Sequence, residues 1–243
     1  MNFTAGLLAA NQGGFTLTYI WDQATIEAKV IIIILLIFSI FAWSVMASKA
    51  VQMRRARRLN HYFESEFRQQ KSVLSIYDRR LQVQGCPLFS VYLDGCTDLE
   101  GHLRGPDETR RQFASIKGIE HVKRALEGSV ARESLRLESG LVLLAVAVSG
   151  APFLGLLGTV WGVMDAFGGV AIAAQSGARA DLAVMAPGVS AALITTVAGL
   201  LVAIPSMFGY NWLVHTLRVH TVELDNFAQS LASRIETEFL KDE

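Results

Sequence analysis

The stretch APGVSAALITTVAGLLVAIPSMFGYN, residues 186–211, decides the fold. It sits inside a longer run, Leu182 to Val214, that contains no Asp, Glu, Lys or Arg. A segment that only anchors a protein would be dominated by Leu, Ile and Val. This one is dense in Gly, Ala, Thr and Pro instead. Small residues let helix backbones approach closely inside a bilayer, where apolar lipid gives no hydrophobic drive for helices to associate. The run therefore reads as one packed wall of a helical membrane assembly.

Two further runs belong to the same class. About 20 residues cross a hydrocarbon core of about 30 Å, and both Val30–Ser48 and Gly140–Met164 meet that length without a charge. Across the chain 51% of residues are apolar and only 18% are charged. The expected fold is all-α, with three membrane spans at 30–48, 140–169 and 182–214 and long helices outside the membrane. The 22 basic and 22 acidic residues balance, which says nothing about a nucleic-acid partner, and no dense basic tract points to one. The first span is not a cleaved signal peptide. It is preceded by Asp22, Glu27 and Lys29 rather than a basic n-region, and no small-residue cleavage pattern follows it.

Charges beside the spans fix an expected orientation. Lys49, Arg54, Arg55, Arg57 and Arg58 follow span one, whereas only Lys29 precedes it and only Arg179 lies between spans two and three. Residues 1–29 are thus expected outside, 49–139 in the cytoplasm, 170–181 as a short outer loop, and 215–243 as a cytoplasmic C-terminal helix. Trp43 and Trp212 fall near the cytoplasmic ends of their spans, as an aromatic belt places them.

Within the cytoplasmic segment, residues 49–70 read as helix. The charged run 109–138 leads into span two without a Pro, which predicts one continuous helix. Gly85–Gly105 is Gly-rich and reads as a turn region with short helices. In the tail, Leu213, Leu217, Leu224, Phe227, Leu231 and Ile235 follow helical spacing and demand a partner surface. Cys86 and Cys96 read as reduced thiols, because a structural disulfide does not suit the cytoplasm and His102 alone is poor support for a metal site. The five histidines (61, 102, 121, 215 and 220) read as solvated or interface groups. The catalytic signatures of a P-loop, HExxH or GxSxG are absent. No enzyme, metal or cofactor is expected.

Chemistry is then left to spans two and three. Ala151, Gly155, Gly158, Gly162, Asp165 and Gly169 follow steps of three and four along span two. Gly188, Ala192, Thr195, Gly199, Ala203 and Ser206 do so along span three. The glycines read as a tight packing seam, while Pro152, Pro187 and Pro205 remove backbone donors and are expected to kink their helices. Thr159 and Thr196 lie near mid-depth. Each either satisfies itself on the carbonyl one turn back or turns a hydroxyl toward a pore. Asp165, the sole carboxylate in these two runs, is either a solvated group at the outer headgroups or a proton-collecting mouth.

The segments APFLGLLGTVWGVMDAF (151–167) and APGVSAALITTVAGLLVAIPSMFGYN resemble the paired signatures of the ExbB/TolQ/MotA proton-channel family. The likeness is dense through 150–212, weaker over 120–149, and slight over 1–29 and 60–110. Three spans fit the ExbB/TolQ branch better than the four-span MotA branch. The resemblance implies a bacterial inner-membrane, multi-pass subunit of a pentamer that encloses a dimer of single-span ExbD- or TolR-like partners. Proton flow there drives motion passed to a TonB- or TolA-like protein, for outer-membrane transport or envelope integrity. It carries the family's hydroxyl positions onto Thr159 and Thr196; with Thr195 and Asp165 from the reading above, these are the expected proton-pathway residues, and Gly155, Gly158, Gly162, Gly188, Gly199, Pro187 and Pro205 the expected helix-packing residues. One position departs from the family. Where ExbB and TolQ proteins usually carry a glutamate in APGIAEAL, this chain has Ala191, so the proton-carrying acid is expected on the partner helix. A non-conducting scaffold of the same fold is the competing reading, and a membrane-embedded enzyme is a distant third.

Overall fold

The computed structural model describes residues 25–104, 110–175 and 182–240. Six helices account for almost all of them: α1 (Ile26–Gln69), α2 (Ser75–Asp78), α3 (Pro87–Leu103), α4 (Ile116–Glu138), α5 (Leu141–Gln175) and α6 (Leu182–Phe239). Among the described residues the only β-pairing is two isolated bridges. Three helices, α1, α5 and α6, are long and apolar enough to cross a membrane, so the all-α, three-span expectation holds. The expected outer segment 1–29 and loop 170–181, with Arg179, lie largely outside the described residues. Residues 170–175 are a correction, because α5 continues through them. Contacts divide the chain into two compact units, Met1–Val45 with Val142–Tyr210, and Met46–Leu141 with Asn211–Glu243.

In the first unit the interior is thin because small residues build it. Ile31 and Leu35 of α1 are buried with Ala151, Val202 and Ala203, and Phe38, Leu154 and Ala198 pack against them. Ala28 is buried with Ala191. Large apolar side chains point the other way: Ile40, Phe41, Phe153, Leu156, Leu201 and Phe208 are all exposed. In water such a surface would aggregate. In a bilayer it is the solvated face, and the helical backbone satisfies its own polar groups. Helical assignment runs through Pro152, Pro187 and Pro205 without interruption.

The second unit has the large core of a soluble helical domain. Phe63 and Phe67 of α1 meet Tyr92 of α3 and Phe227 of α6, with ring centroids 5.4–5.8 Å apart in tilted and edge-on pairs. Leu224, Leu231 and Ile235 of α6 are buried in the same cluster. The tail thus finds the partner surface its periodicity required. Polar clamps fix the chain ends. Arg234 of α6 donates to the carbonyls of Gln70 (2.9 Å) and Phe67 (3.4 Å), taking up carbonyls left at the α1 C-terminus. Glu238 accepts from Val73 N (2.8 Å) and from the Ser72 hydroxyl. The Tyr92 hydroxyl donates to Val73 O (2.6 Å) and accepts from Tyr77 N (2.9 Å).

Two sequence expectations are corrected here. Gly85–Gly105 is not a turn region with short helices, since α3 is one helix of 17 residues. Pro87 stands at its first turn, where its missing N–H costs nothing, and Gly85 takes φ +81 just before it. Gly95 is a contact rather than a break, because a Cβ there would collide with the Leu126 side chain of α4. Nor do α4 and span two form one helix. α4 stops at Glu138, and Gly140 has φ +86, a left-handed conformation that glycine adopts without steric cost. Lys49, itself buried, donates from Nζ to Leu137 O (3.2 Å) and Ser139 Oγ (3.5 Å), which satisfies the end of α4.

Cys86 and Cys96 are free and buried. Burial pushes both thiols up, Cys96 to about 12, so both stay protonated near neutrality. His102 and His121 stack at 5.5 Å. His220 is buried beside Glu223 (3.2 Å). Among the described residues no group of three or more His, Cys, Asp or Glu is arranged to hold a metal.

Candidate functional site

The seam between α5 and α6 is built from the residues that cannot hold backbones apart. A Cβ on Gly199 would lie 2.6 Å from the carbonyl oxygen of Ala151 and 3.2 Å from Gly155 Cα. One on Gly155 would lie 2.9 Å from Thr195 O, and one on Gly162 would lie 2.8 Å from Ala192 Cβ. Gly188 faces Ala166 and the Gly162 carbonyl, and Gly158 faces the Thr195 side chain. The two backbones are thus in direct contact at several levels. That is the geometry small residues permit in a membrane interface.

This closeness brings three hydroxyls to one carbonyl. Thr159 and Thr196 hydrogen-bond to each other across the seam. Both hydroxyls also lie 3.1 Å from Gly155 O, and Thr159 is 3.4 Å from Ala192 O. Thr195 is fully buried. Its hydroxyl donates to Ala192 O at 2.6 Å, with Gly155 O 3.2 Å away. Each hydroxyl has one proton to give and two lone pairs. Gly155 O already takes the backbone N–H one turn on, so it has room for one hydroxyl proton. The Thr159–Thr196 pair therefore has two arrangements, with either threonine donating to the other. In each, both oxygens keep acceptor capacity, and both side chains are only partly buried. Such a pair can take a hydrogen bond from a protonated acid, or turn a donor toward an ionised one, without carrying charge itself.

The predicted residues do not all converge. Thr159 and Thr196 meet: Thr159 reaches the carbonyl one turn back, Gly155 O, whereas Thr196 reaches that same carbonyl across the seam. Thr195 sits inside the seam against Gly158 rather than on an open face. Asp165 is a correction only as a member of the packed stripe. It is exposed, and the buried stripe of α5 runs 151, 155, 158, 162 and then Ala166. Steps of three and four reach either 165 or 166 after Gly162, and the smaller residue took the contact with Gly188. Gly169 is only partly buried. Asp165 is also six residues from Thr159, about 9 Å along the axis, so the two do not form one site. Gly155 O went unseen as the common acceptor, because a main-chain atom carries no sequence signal. Ala166 had one, its four-residue step from Gly162.

Comparisons with known proteins point the same way. Residues 107–226 match the model of the MotA/TolQ/ExbB proton channel family. The chain is 34% identical over 209 residues to the Tol-Pal system protein TolQ of Haemophilus influenzae, covering 84% of this chain and 85% of that protein. It is 40% identical over 145 residues to the biopolymer transport protein ExbB of Xanthomonas campestris pv. campestris, covering 60% and 56%. With the ExbB protein of Neisseria meningitidis serogroup A the identity is 28% over 207 residues, covering 84% and 90%.

Proposed function

Because the chain belongs to the MotA/TolQ/ExbB proton channel family, we propose that it is the multi-pass inner-membrane subunit of an ExbB–ExbD or TolQ–TolR type motor. The subunit uses the proton motive force to energise a TonB- or TolA-like protein that spans the periplasm. Its outputs are outer-membrane transport or envelope integrity. It assembles as a pentamer around single-span ExbD- or TolR-like partners, with its N-terminus periplasmic and its C-terminus cytoplasmic. No step requires a cofactor or makes the chain an enzyme.

The observation that carries this reading is the Thr159–Thr196 hydroxyl pair held on Gly155 O by the glycine seam. An ionised carboxylate in hydrocarbon is expensive unless paired or hydrogen-bonded. A partner acid would be charged while it faces these hydroxyls and neutral while it faces the Gly- and Ala-rich wall. One charge moved through 100 mV releases about 2.3 kcal/mol, enough to bias rotation between packed helices. Asp165 serves as an outer proton-collecting group. Ala191, buried with Ala28, offers no acid, so the partner must supply it. That same residue favours the second reading, a scaffold that only assembles partner helices.

The test is substitution of the membrane carboxylate in the co-purifying single-span protein. Asp to Asn there abolishes proton-dependent function under this proposal, while Asp165→Asn in this chain only reduces it. Complete loss from Asp165→Asn, with the partner acid dispensable, would place the proton site in this chain. Orientation is tested with single cysteines at Gln12, Gly177 and Gln70, the first two being outside the described residues. An impermeant thiol reagent added to the periplasmic side labels Gln12→Cys and Gly177→Cys, and labelling of Gln70→Cys overturns the topology.

A further inference from the structure

In the second unit α6 has two faces. Leu224 and Leu231 are buried in the core, with Leu217 packed against it. On the opposite side, steps of three and four from His215 reach Val219, Val222, Asn226, Gln229 and Ser233, and all six are exposed. An exposed helix face ordinarily carries the charges. Here the charged residues between 215 and 233 are Arg218, Glu223 and Asp225, and all three flank the stripe rather than stand in it. Alternating steps of three and four make the seven-residue period with which helices pack side by side. The stripe holds that period from His215 to Ser233, about 27 Å of helix.

The charges at its edges say what covers it. On the α4 side, Asp225 lines a groove with Glu127, and Arg218 stands one heptad before Asp225 on the same edge. On the α1 side, Glu223 lines a groove with Arg57. Arg57, Glu127, Arg218 and Asp225 have no ion-pair partner among the described residues. Copies of one chain enter a membrane in one orientation, so their α6 helices run parallel. In parallel helices packed on such a stripe, the flanking residue on one faces the opposite flank of the other, five residues on. Arg218 then faces Glu223 of a second copy, and the Glu127–Asp225 edge faces Arg57 of that copy. Opposite signs meet at both places. Each edge complements the other edge rather than itself, which is the head-to-tail contact that builds rings. We propose that the His215–Ser233 stripe joins copies of this chain, packing against α6 of the neighbouring copy with its α4-side edge on that copy's α1-side edge. This rests on the homo-oligomeric assembly proposed above and adds the surface through which the second units meet. Asn226, a polar residue in the middle of the seam, fixes its register.

The test uses the full chain in nanodiscs with its single-span partner. Native mass spectrometry first gives the number of copies. Val222→Cys, at the centre of the stripe, is then oxidised with copper phenanthroline; Cys86 and Cys96 are buried and do not compete. Dimers linked through residue 222 are expected, whereas Thr97→Cys, exposed on α3, gives none. Arg57→Glu sets like charges against Glu127 and Asp225 of the neighbour and lowers the yield of the Val222→Cys dimer, and adding Asp225→Arg restores it. Both charged positions are on the surface and engage nothing within the chain, so the variants fold as the wild type does. A chain that holds no second copy refutes the assembly and this contact together. An oligomer in which Val222→Cys gives no more dimer than Thr97→Cys leaves the assembly standing and overturns the contact. A yield that Arg57→Glu does not change, or that Asp225→Arg does not restore, overturns the head-to-tail pairing of the edges.

Discussion

Replacing Gly199 by alanine is the sharpest probe of the seam. The added Cβ would lie 2.6 Å from Ala151 O, 3.2 Å from Gly155 Cα and 3.3 Å from Gly155 N. All three are main-chain atoms, so no side chain can rotate away. The helices must separate by about 0.6–0.8 Å to restore an ordinary carbon–oxygen contact, and overpacking of this kind costs about 1–3 kcal/mol. Three main-chain clashes put Gly199→Ala in the upper half of that range, about 2–3 kcal/mol, and alanine returns about 1 kcal/mol through its better helix propensity, which leaves a net loss of about 1–2 kcal/mol. At about 2–4 °C per kcal/mol for a chain of this size, the melting temperature falls by about 2–8 °C. The same displacement stretches the 3.1 Å Thr196–Gly155 bond to about 3.8 Å, beyond hydrogen-bonding range. Proton-linked function should therefore fall further than stability. Gly168 is the matched control, since a Cβ there meets nothing within 4 Å and Gly168→Ala should be neutral or slightly stabilising. Thermal unfolding in nanodiscs and a growth or uptake assay read both effects. If Gly199→Ala is as stable and as active as Gly168→Ala, the helices are not in backbone contact and the reasoning fails.

Two other perturbations follow from the second unit. Lys49→Met keeps the stem but removes the donor to Leu137 O and Ser139 Oγ, which should cost about 1–3 kcal/mol and raise amide exchange around residues 137–141. Unchanged exchange there would remove Lys49 from the α4–α5 junction. The Cys96 thiol, ordinarily near 9.0 and pushed up to about 12 by burial, contributes stability that is fully present below pH 9. That contribution is lost as pH rises from about 9 through 12, because the unfolded chain releases its proton first. Denaturant midpoints across that range should fall, less so in Cys96→Ala, and Cys96 should resist thiol reagents at pH 8 until the protein unfolds.

What could be read in the chain beforehand depended on whether the cause was periodic. Uncharged length marked the three spans, and the apolar repeat from Leu213 to Ile235 marked the tail helix, since burial of one helix face leaves that trace. The break at Ser139–Gly140 escaped because no Pro marks it; it rests on one backbone angle and on Lys49, 88 residues distant from Leu137 in sequence. α3 was misread because Gly95 looks like a helix breaker until the Leu126 side chain that occupies its missing Cβ is known. Asp165 and Ala166 stand one residue apart, and only the position of Gly188 decides which of them turns inward. Arg234 and Glu238 carry no periodic signal, yet they tie α6 to the end of α1 and the chain after it, largely through main-chain groups that no sequence pattern reveals.

The central claim is that the Thr159–Thr196 pair lines the route of the proton. It is tested most directly by proton flux into proteoliposomes holding this chain and its single-span partner. Thr159→Val and Thr196→Val keep the shape and remove one hydroxyl each. The account predicts that both variants assemble and co-purify with the partner as the wild type does, while flux falls in each and is lost in the double variant. Wild-type flux through the double variant would contradict it, and would leave these threonines as packing residues of the α5–α6 seam.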